Sequence, residues 1–326
     1  MKNSNIKSID NLGTPDIPQK VFDIEVDDNT HTFIGNDILL HNSVYVSFDP
    51  LFKSMTEESQ KKFATDSEKL NFISTFSKEF LNDQNNEWCR SIYEPRHAHS
   101  FHEFELESIQ KSQMVYKKKK YIKGVVWMKG KTYDEPKLSA TGIELVRSST
   151  PFICRDIMKE LIRDMMFVYP TYEDINDYAW HFNELLAKNK EKFFQASVEE
   201  ISNSVSIGNY KKYVVDDTEN FVVRSGCPVS VRSIAYFNYL AHKHHQDNLI
   251  TKSGKIKYYF YRYRSGINKD GSGYFGYPLG ESQDWFPDCD RLTCWDKNVI
   301  TPMNRFAEII GMPKMNALGS YDQKLL

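Results

Sequence analysis

Val21-Phe22-Asp23-Ile24-Glu25-Val26, then His31-Thr32-Phe33-Ile34-Gly35-Asn36-Asp37-Ile38-Leu39-Leu40-His41-Asn42-Ser43, is the stretch from which the architecture is best read. Residues 21–26 alternate apolar and polar side chains, the period-2 pattern of a half-buried strand. Asp27-Asp28-Asn29-Thr30 predicts a turn, residues 31–34 a second strand, Gly35-Asn36-Asp37 another turn, and residues 38–40 a third short strand. Strands this short and few cannot bury a core alone, so the segment needs something to fold against. Upstream, residues 1–20 are polar and broken by Gly13, Pro15 and Pro18. Downstream, Val44-Tyr45-Val46-Ser47-Phe48 predicts one more strand.

The chain has 326 residues and a formal charge of −2. At about 150 residues per domain this suggests two domains, with room for an appendage. Apolar residues make up 40% and aromatic residues 14%, enough for a sizeable core, which excludes a wholly disordered chain. No apolar run approaches the roughly 18 to 20 residues of a membrane span, and the polar start lacks the apolar stretch of a secretion signal. The five cysteines are scattered, and the Cys289–Cys294 spacing, with no second pair, is a poor zinc signature. Together these point to a reducing, cytoplasmic setting. The charge is uneven. Residues 1–42 hold Lys2, Lys7 and Lys20 against Asp10, Asp16, Asp23, Glu25, Asp27, Asp28 and Asp37, a net −4, and the remainder is slightly basic. An acidic leader and a basic body suggest separate tasks.

Beyond Phe48 the pattern is mixed. Residues 58–88 read as helical, with Phe63, Leu70, Phe72, Ile73, Phe76, Phe80 and Leu81 on one apolar stripe. Residues 99–109 and 113–128 read as strands, the latter as a hairpin crossed by a basic run. Ser148-Ser149-Thr150-Pro151 is a helix start, and 151–168 and 173–199 then read as helices. Another helix lies within 226–245 and a last one at about 295–311. The expected class is α+β. A short β-rich segment comes first, then strands with a helix, then a mostly helical C-terminal part.

Asn42 carries the first chemistry. An asparagine side-chain amide can attack its own backbone carbonyl and close a succinimide, which cleaves the following peptide bond. The reaction is slow unless the attack geometry is fixed and the departing amine receives a proton. His41 is adjacent and can supply or relay that proton. Ser43 offers a hydroxyl that can accept an acyl group as an ester. The segment 21–43 closely resembles the C-terminal end of an intein, its last two sequence blocks. Since the blocks begin near the initiator Met, it resembles the C-half of a split intein, part of a Hint-type splicing domain with the N-half on another polypeptide. The resemblance implies that Asp23 manages proton transfers at the branched ester and that His31 occupies the family's other histidine position. Phe22 stands where the family usually has Tyr, and Asp37 where Gly is common.

Read from Ser43, the chain resembles the C-terminal fragment of a T-even-type phage DNA polymerase of family B. Members carry a strand-turn-strand ending Asp-Thr-Asp-Ser and followed by an apolar strand, and here the chain resumes at that Ser. Phe104-Glu105-Leu106-Glu107-Ser108-Ile109 resembles the palm strand bearing an acid near the metal site, with Glu107 the best match. Lys117-Lys118-Lys119-Lys120-Tyr121 resembles the Lys-Lys-Arg-Tyr segment that grips the primer near its terminus. Thr141-Gly142-Ile143-Glu144 and Arg147-Ser148-Ser149-Thr150-Pro151 resemble the palm-to-thumb passage. Gly226-Cys227-Pro228, Val231-Arg232 and the helix from Trp295 to Met312 fit the same group.

The resemblance implies three parts: 1–42 the intein segment, 43–142 the end of the palm, and 143–326 the thumb and tail. It implies trans-splicing with an upstream polymerase fragment carrying the N-intein. The product would be a DNA-directed DNA polymerase using nucleotides, primer-template DNA and Mg2+ in a phage-infected bacterium. The principal metal-binding aspartates would lie on the other fragment, and no membrane is involved. Expected DNA contacts are Lys118, Lys119, Lys120, Tyr121 and Arg147.

Each residue also has a structural reading. A lysine run can be the solvated end of an edge strand, Glu107 an ordinary strand carboxylate, and Tyr258 to Arg264 a half-buried strand. His97, His99, His102 and Glu103 lack recurrent metal-ligand spacing. His242, His244 and His245 read as solvent-facing at a helix end. Gly271 to Gly276 reads as a loop. The C-terminal Leu325-Leu326 could anchor a sliding clamp, although the usual aromatic end is missing. Two alternatives stand beside splicing, an unspliced DNA-binding subunit of a two-chain polymerase and a stand-alone DNA-binding or clamp-interacting protein.

Overall fold

The computed structural model describes residues 32–35, 38–41, 47–92, 105–117, 119–246, 250, 254–261 and 273–317. These show a mixed α and β chain with small antiparallel sheets. It divides into two compact units, residues 1–106 and 107–326. Among the described residues, no helix is long and apolar enough to cross a membrane.

In the first unit, β1 (Thr32–Gly35) and β2 (Ile38–His41) form an antiparallel hairpin with Thr32 opposite His41 and Gly35 opposite Ile38. These are the second and third strands expected from the sequence; residues 21–26 lie outside the described residues. Residues 44–46 do too, while Phe48 is helical and caps α1 (Asp49–Ser54), so the predicted strand does not extend through it. The single helix expected over 58–88 is divided. α2 (Glu57–Lys61) ends, the chain turns, and α3 (Asp66–Thr75) restarts from a capping box in which Thr65 and Glu68 satisfy each other's backbone N–H groups. A π-turn at Phe76–Phe80 then leads into α4 (Leu81–Ile92). The break lets the helices fold onto one another through phenylalanines. Phe63 meets Phe52 and Phe72 at ring-centroid distances of 5.6 and 5.0 Å, and Phe48 meets Phe76 at 5.5 Å.

The second unit opens with an antiparallel sheet, β3 (Ser108–Lys117), β4 (Lys120–Met128) and β5 (Lys131–Thr141), with β4 central. The predicted hairpin is thus joined by a third strand. Residues 105–107 precede the strand, and residues 99–104 of the expected strand lie outside the described residues. A 3₁₀ turn at Glu144–Val146 leads to α5 (Phe152–Phe167) and α6 (Ile175–Gln195), close to the expected helices. α5 buries Cys154, Ile157, Met158, Leu161, Ile162, Met165 and Met166, the i, i+3, i+4, i+7 spacing of one helical face. The sheet lies against this helix closely enough that Gly124 has no room for a side chain, since a Cβ would sit 2.4 Å from the Phe167 ring.

The region expected to be mostly helical contains a second sheet. After α7 (Val198–Ile201) come β6 (Asn203–Ser206), α8 (Tyr210–Tyr213) and a small hairpin of β7 (Val214–Asp216) and β8 (Val222–Val223). α9 (Val229–Lys243), β9 (Lys255–Phe260) and β10 (Tyr274–Pro278) follow. β9 is central between β10 and β6. Tyr259 and Tyr261 are buried, as the half-buried strand reading requires, and Arg262, Tyr263 and Arg264 lie outside the described residues. Tyr274, Phe275 and Gly276 belong to β10, which corrects the expected loop. Asn238 of α9 is fully buried and donates to Asp217 and the Ile250 carbonyl at 2.7 and 2.9 Å, which pins the intervening segments. His242, His244 and His245 are exposed at the end of α9. The terminal helix is α10 (Arg291–Trp295), a π-turn at Asp296–Ile300 and α11 (Thr301–Ile309), with Trp295 and Met303 fully buried.

Candidate nucleic-acid interface

Of the residues expected at the splice junction, Asp23, His31, Asn42 and Ser43 lie outside the described residues. His41 is described in its backbone only, as the last residue of β2 opposite Thr32. His97, His99, His102, Glu103 and the tail from Leu318 also lie outside them.

The lysine run forms the β3–β4 turn. Lys117 pairs with Lys120, and Lys119 lies in the connection between them; Lys118 lies outside the described residues. Two-residue hairpin turns favour Asn and Gly because they need positive φ, yet Lys119 adopts φ 58° here. The turn is braced from the side. Gly142 has φ +66°, and a Cβ on it would meet the Lys119 carbonyl oxygen at 2.1 Å, so only glycine fits. Tyr121 pairs with Thr141 in β5, and the buried Lys123 holds its ammonium 5.2 Å from the centre of the Tyr121 ring.

Immediately after Gly142 the chain supplies a second group of charges. Glu144 accepts a 2.7 Å hydrogen bond from Arg305 on α11, and Arg147 stands 3.8 Å away on its other side. Partial burial would raise the Glu144 carboxyl. The Arg305 hydrogen bond, its own backbone N–H and the charges of Arg305 and Arg147 outweigh that and hold it below the usual value. Arg305 also lies over the Tyr116 ring of β3 at 5.7 Å. The turn lysines, Arg147 and Arg305 are thus linked through Gly142, Glu144 and Tyr116. Val115, Tyr116 and Val146 are exposed by 55, 39 and 52%. Basic groups beside exposed apolar surface can neutralise phosphates and pack against sugars.

Among the sequence-predicted residues, Lys119, Lys120 and Tyr121 are contiguous at the turn, and Arg147 stands beside Glu144 in the passage that follows Gly142. Arg305 and Tyr116 were not anticipated. Arg305 is 161 positions from its partner Glu144, and no local pattern reveals such a pair. Glu107 is not brought to this group. It is exposed before the other end of β3, where its carbonyl accepts from Lys129 N at 3.2 Å. A ten-residue strand at about 3.3 Å per residue separates it from the lysine turn by roughly 30 Å. Among the described residues, no group of three or more His, Cys, Asp or Glu could hold a metal ion, so they do not by themselves fit a divalent cation at Glu107.

No known protein-family model matches the chain, and neither does any curated protein.

Proposed function

We propose that the chain is a precursor of a family B DNA polymerase, joined to its upstream fragment by protein trans-splicing. The observation that carries this reading is a coincidence at one peptide bond. The intein-like segment ends at Asn42, and the polymerase-like sequence resumes at Ser43, a residue that serves both. The paired strands leading to His41 support it, since a hairpin that ends at the residue before Asn42 gives the junction a fixed approach.

In the proposed reaction the Ser43 hydroxyl attacks the acyl carbon that joins the upstream fragment to its N-intein, the bond to the N-intein breaks and the N-intein leaves, and the acyl group is held as an ester on Ser43. The Asn42 side-chain nitrogen attacks the Asn42 carbonyl carbon, the bond to the Ser43 nitrogen breaks, and His41 supplies the proton to the leaving amine. The freed amine then attacks the ester carbonyl, and a peptide bond replaces the ester. Asp23 manages proton transfers at the branched ester, and His31 stands at the family's other histidine position.

In the mature enzyme residues 43–142 complete the palm and 143–326 form the thumb. The group around Lys119, Lys120, Arg147 and Arg305 grips the duplex backbone without reading sequence. The position of the lysines favours this over edge protection, since they gather at a braced turn instead of spreading along the edge strand β3. Metal ions for nucleotide addition are assigned to the upstream fragment. The test is to mix the chain with an upstream polymerase fragment carrying an N-intein. A ligated product should form with the unaltered chain and be lost with Asn42→Ala, and neither fragment alone should extend a primer. Primer extension by residues 1–326 alone would overturn the proposal.

A further inference from the structure

Cys289 and Cys294 lie where the strap after β10 meets the terminal helix. Their Sγ atoms are 3.8 Å apart, and both are free thiols. Cys289 is half-buried and its backbone bridges to Tyr261 beside β9, while Cys294 is fully buried in α10. Both backbones are therefore fixed, and the sulfurs face each other without a bond. A disulfide needs about 2.05 Å, so each sulfur would move by only about 0.9 Å, within reach of a small side-chain rotation. Neither thiol has a part in splicing or DNA contact.

We propose that Cys289 and Cys294 form an oxidisable dithiol, a modification site that a peroxide converts to an intramolecular disulfide. When the pair loses one proton, the remaining S–H donates to the thiolate, which holds Cys294 below the ordinary thiol range and pushes Cys289 above it. Peroxide reaches the half-buried Cys289: its proton passes to the Cys294 thiolate, the Cys289 sulfur attacks one oxygen of hydrogen peroxide, the O–O bond breaks, and a Cys289 sulfenic acid and hydroxide result. The second sulfur attacks the sulfenic sulfur, the S–S bond forms and the S–O bond breaks. With the two thiol protons the balance is two thiols and one peroxide to one disulfide and two waters. Cys154 is the internal contrast. It is also fully buried, and burial, with the nearby Cys294 charge, pushes it up to about 12, so it stays protonated and unreactive. In a reducing cytosol the pair rests as the dithiol, and closure reports oxidative stress.

The test uses the full chain. It is exposed to hydrogen peroxide, alkylated, digested with trypsin without reduction and mapped by mass spectrometry. Cleavage after Arg291 separates the two cysteines, so closure appears as a link between residues 270–291 and 292–297. The link should form about tenfold faster than Cys154 is lost to any oxidised product, and dithiothreitol should reverse it. Cys289→Ser, checked for unchanged circular dichroism, should abolish it. Independent oxidation of Cys289 and Cys294 to sulfinic acids without a link would overturn the proposal. So would a Cys154–Cys294 link formed in preference.

Discussion

Lys119 and Gly142 share one constraint, because the turn can present its lysines only if the passage after β5 comes within contact of the Lys119 carbonyl. Gly142→Ala adds a clash with backbone to a strained positive φ, and should cost about 2–4 kcal/mol in urea unfolding. An unchanged midpoint would mean the turn is not braced there. Glu144→Gln tests the neighbouring pair. The folded carboxyl is lowered from its ordinary value of 4.5, so its contribution is present above that pH and is lost as pH falls through the folded value. The wild type should therefore exceed the variant by about 1–2 kcal/mol near neutrality, and the gap should close in acid. Lys119, Lys120, Tyr121 and Arg147 were legible because the run and its flanks are contiguous. Arg305 was not, since its role comes from a contact made only when α11 packs against β3.

At the scale of elements, the β3–β4 turn is expected to behave as an electrostatic grip. Lys119→Ala and Lys120→Ala should each reduce the slope of log affinity for duplex DNA against log salt by about 0.9, with little dependence on sequence. A slope unchanged by both would return the run to a solvating role. Thr65→Ala removes one half of the capping box that restarts α3, and amide exchange in the first turn of that helix should quicken several-fold. α5 and α6 were legible from their long apolar faces. β5 was not, because Lys131 to Pro136 are polar and edge-exposed and only the Leu138–Ala140 end packs against the core. β6 has four residues and no alternation of its own, and β10 hid within a glycine-rich run. The break between α2 and α3 was also missed, since a capped restart leaves an apolar stripe that continues across it.

For the whole molecule, the proposed function gives one chain two tasks: residues 1–42 would act once and be discarded, and the remainder would enter an enzyme whose metal-binding centre is supplied by the upstream fragment. A segment whose described residues form one short hairpin suits coupled folding with a partner, in which ordering is deferred until the halves meet. Both halves of the proposal rest on the order of motifs and not on a fold. The residues of the proposed splice junction are adjacent in sequence and the lysine turn lies in a sheet of consecutive strands, whereas Arg305 reaches its partner Glu144 from 161 positions away. The most direct test of the account is the intact mass of residues 1–326 after incubation with an upstream polymerase fragment that carries the N-intein. One new species is expected, in which the upstream fragment is joined to Ser43, together with a released residue 1–42 peptide ending in a succinimide. Two precursor masses that persist unchanged, and that Asn42→Ala leaves unaltered, would contradict it.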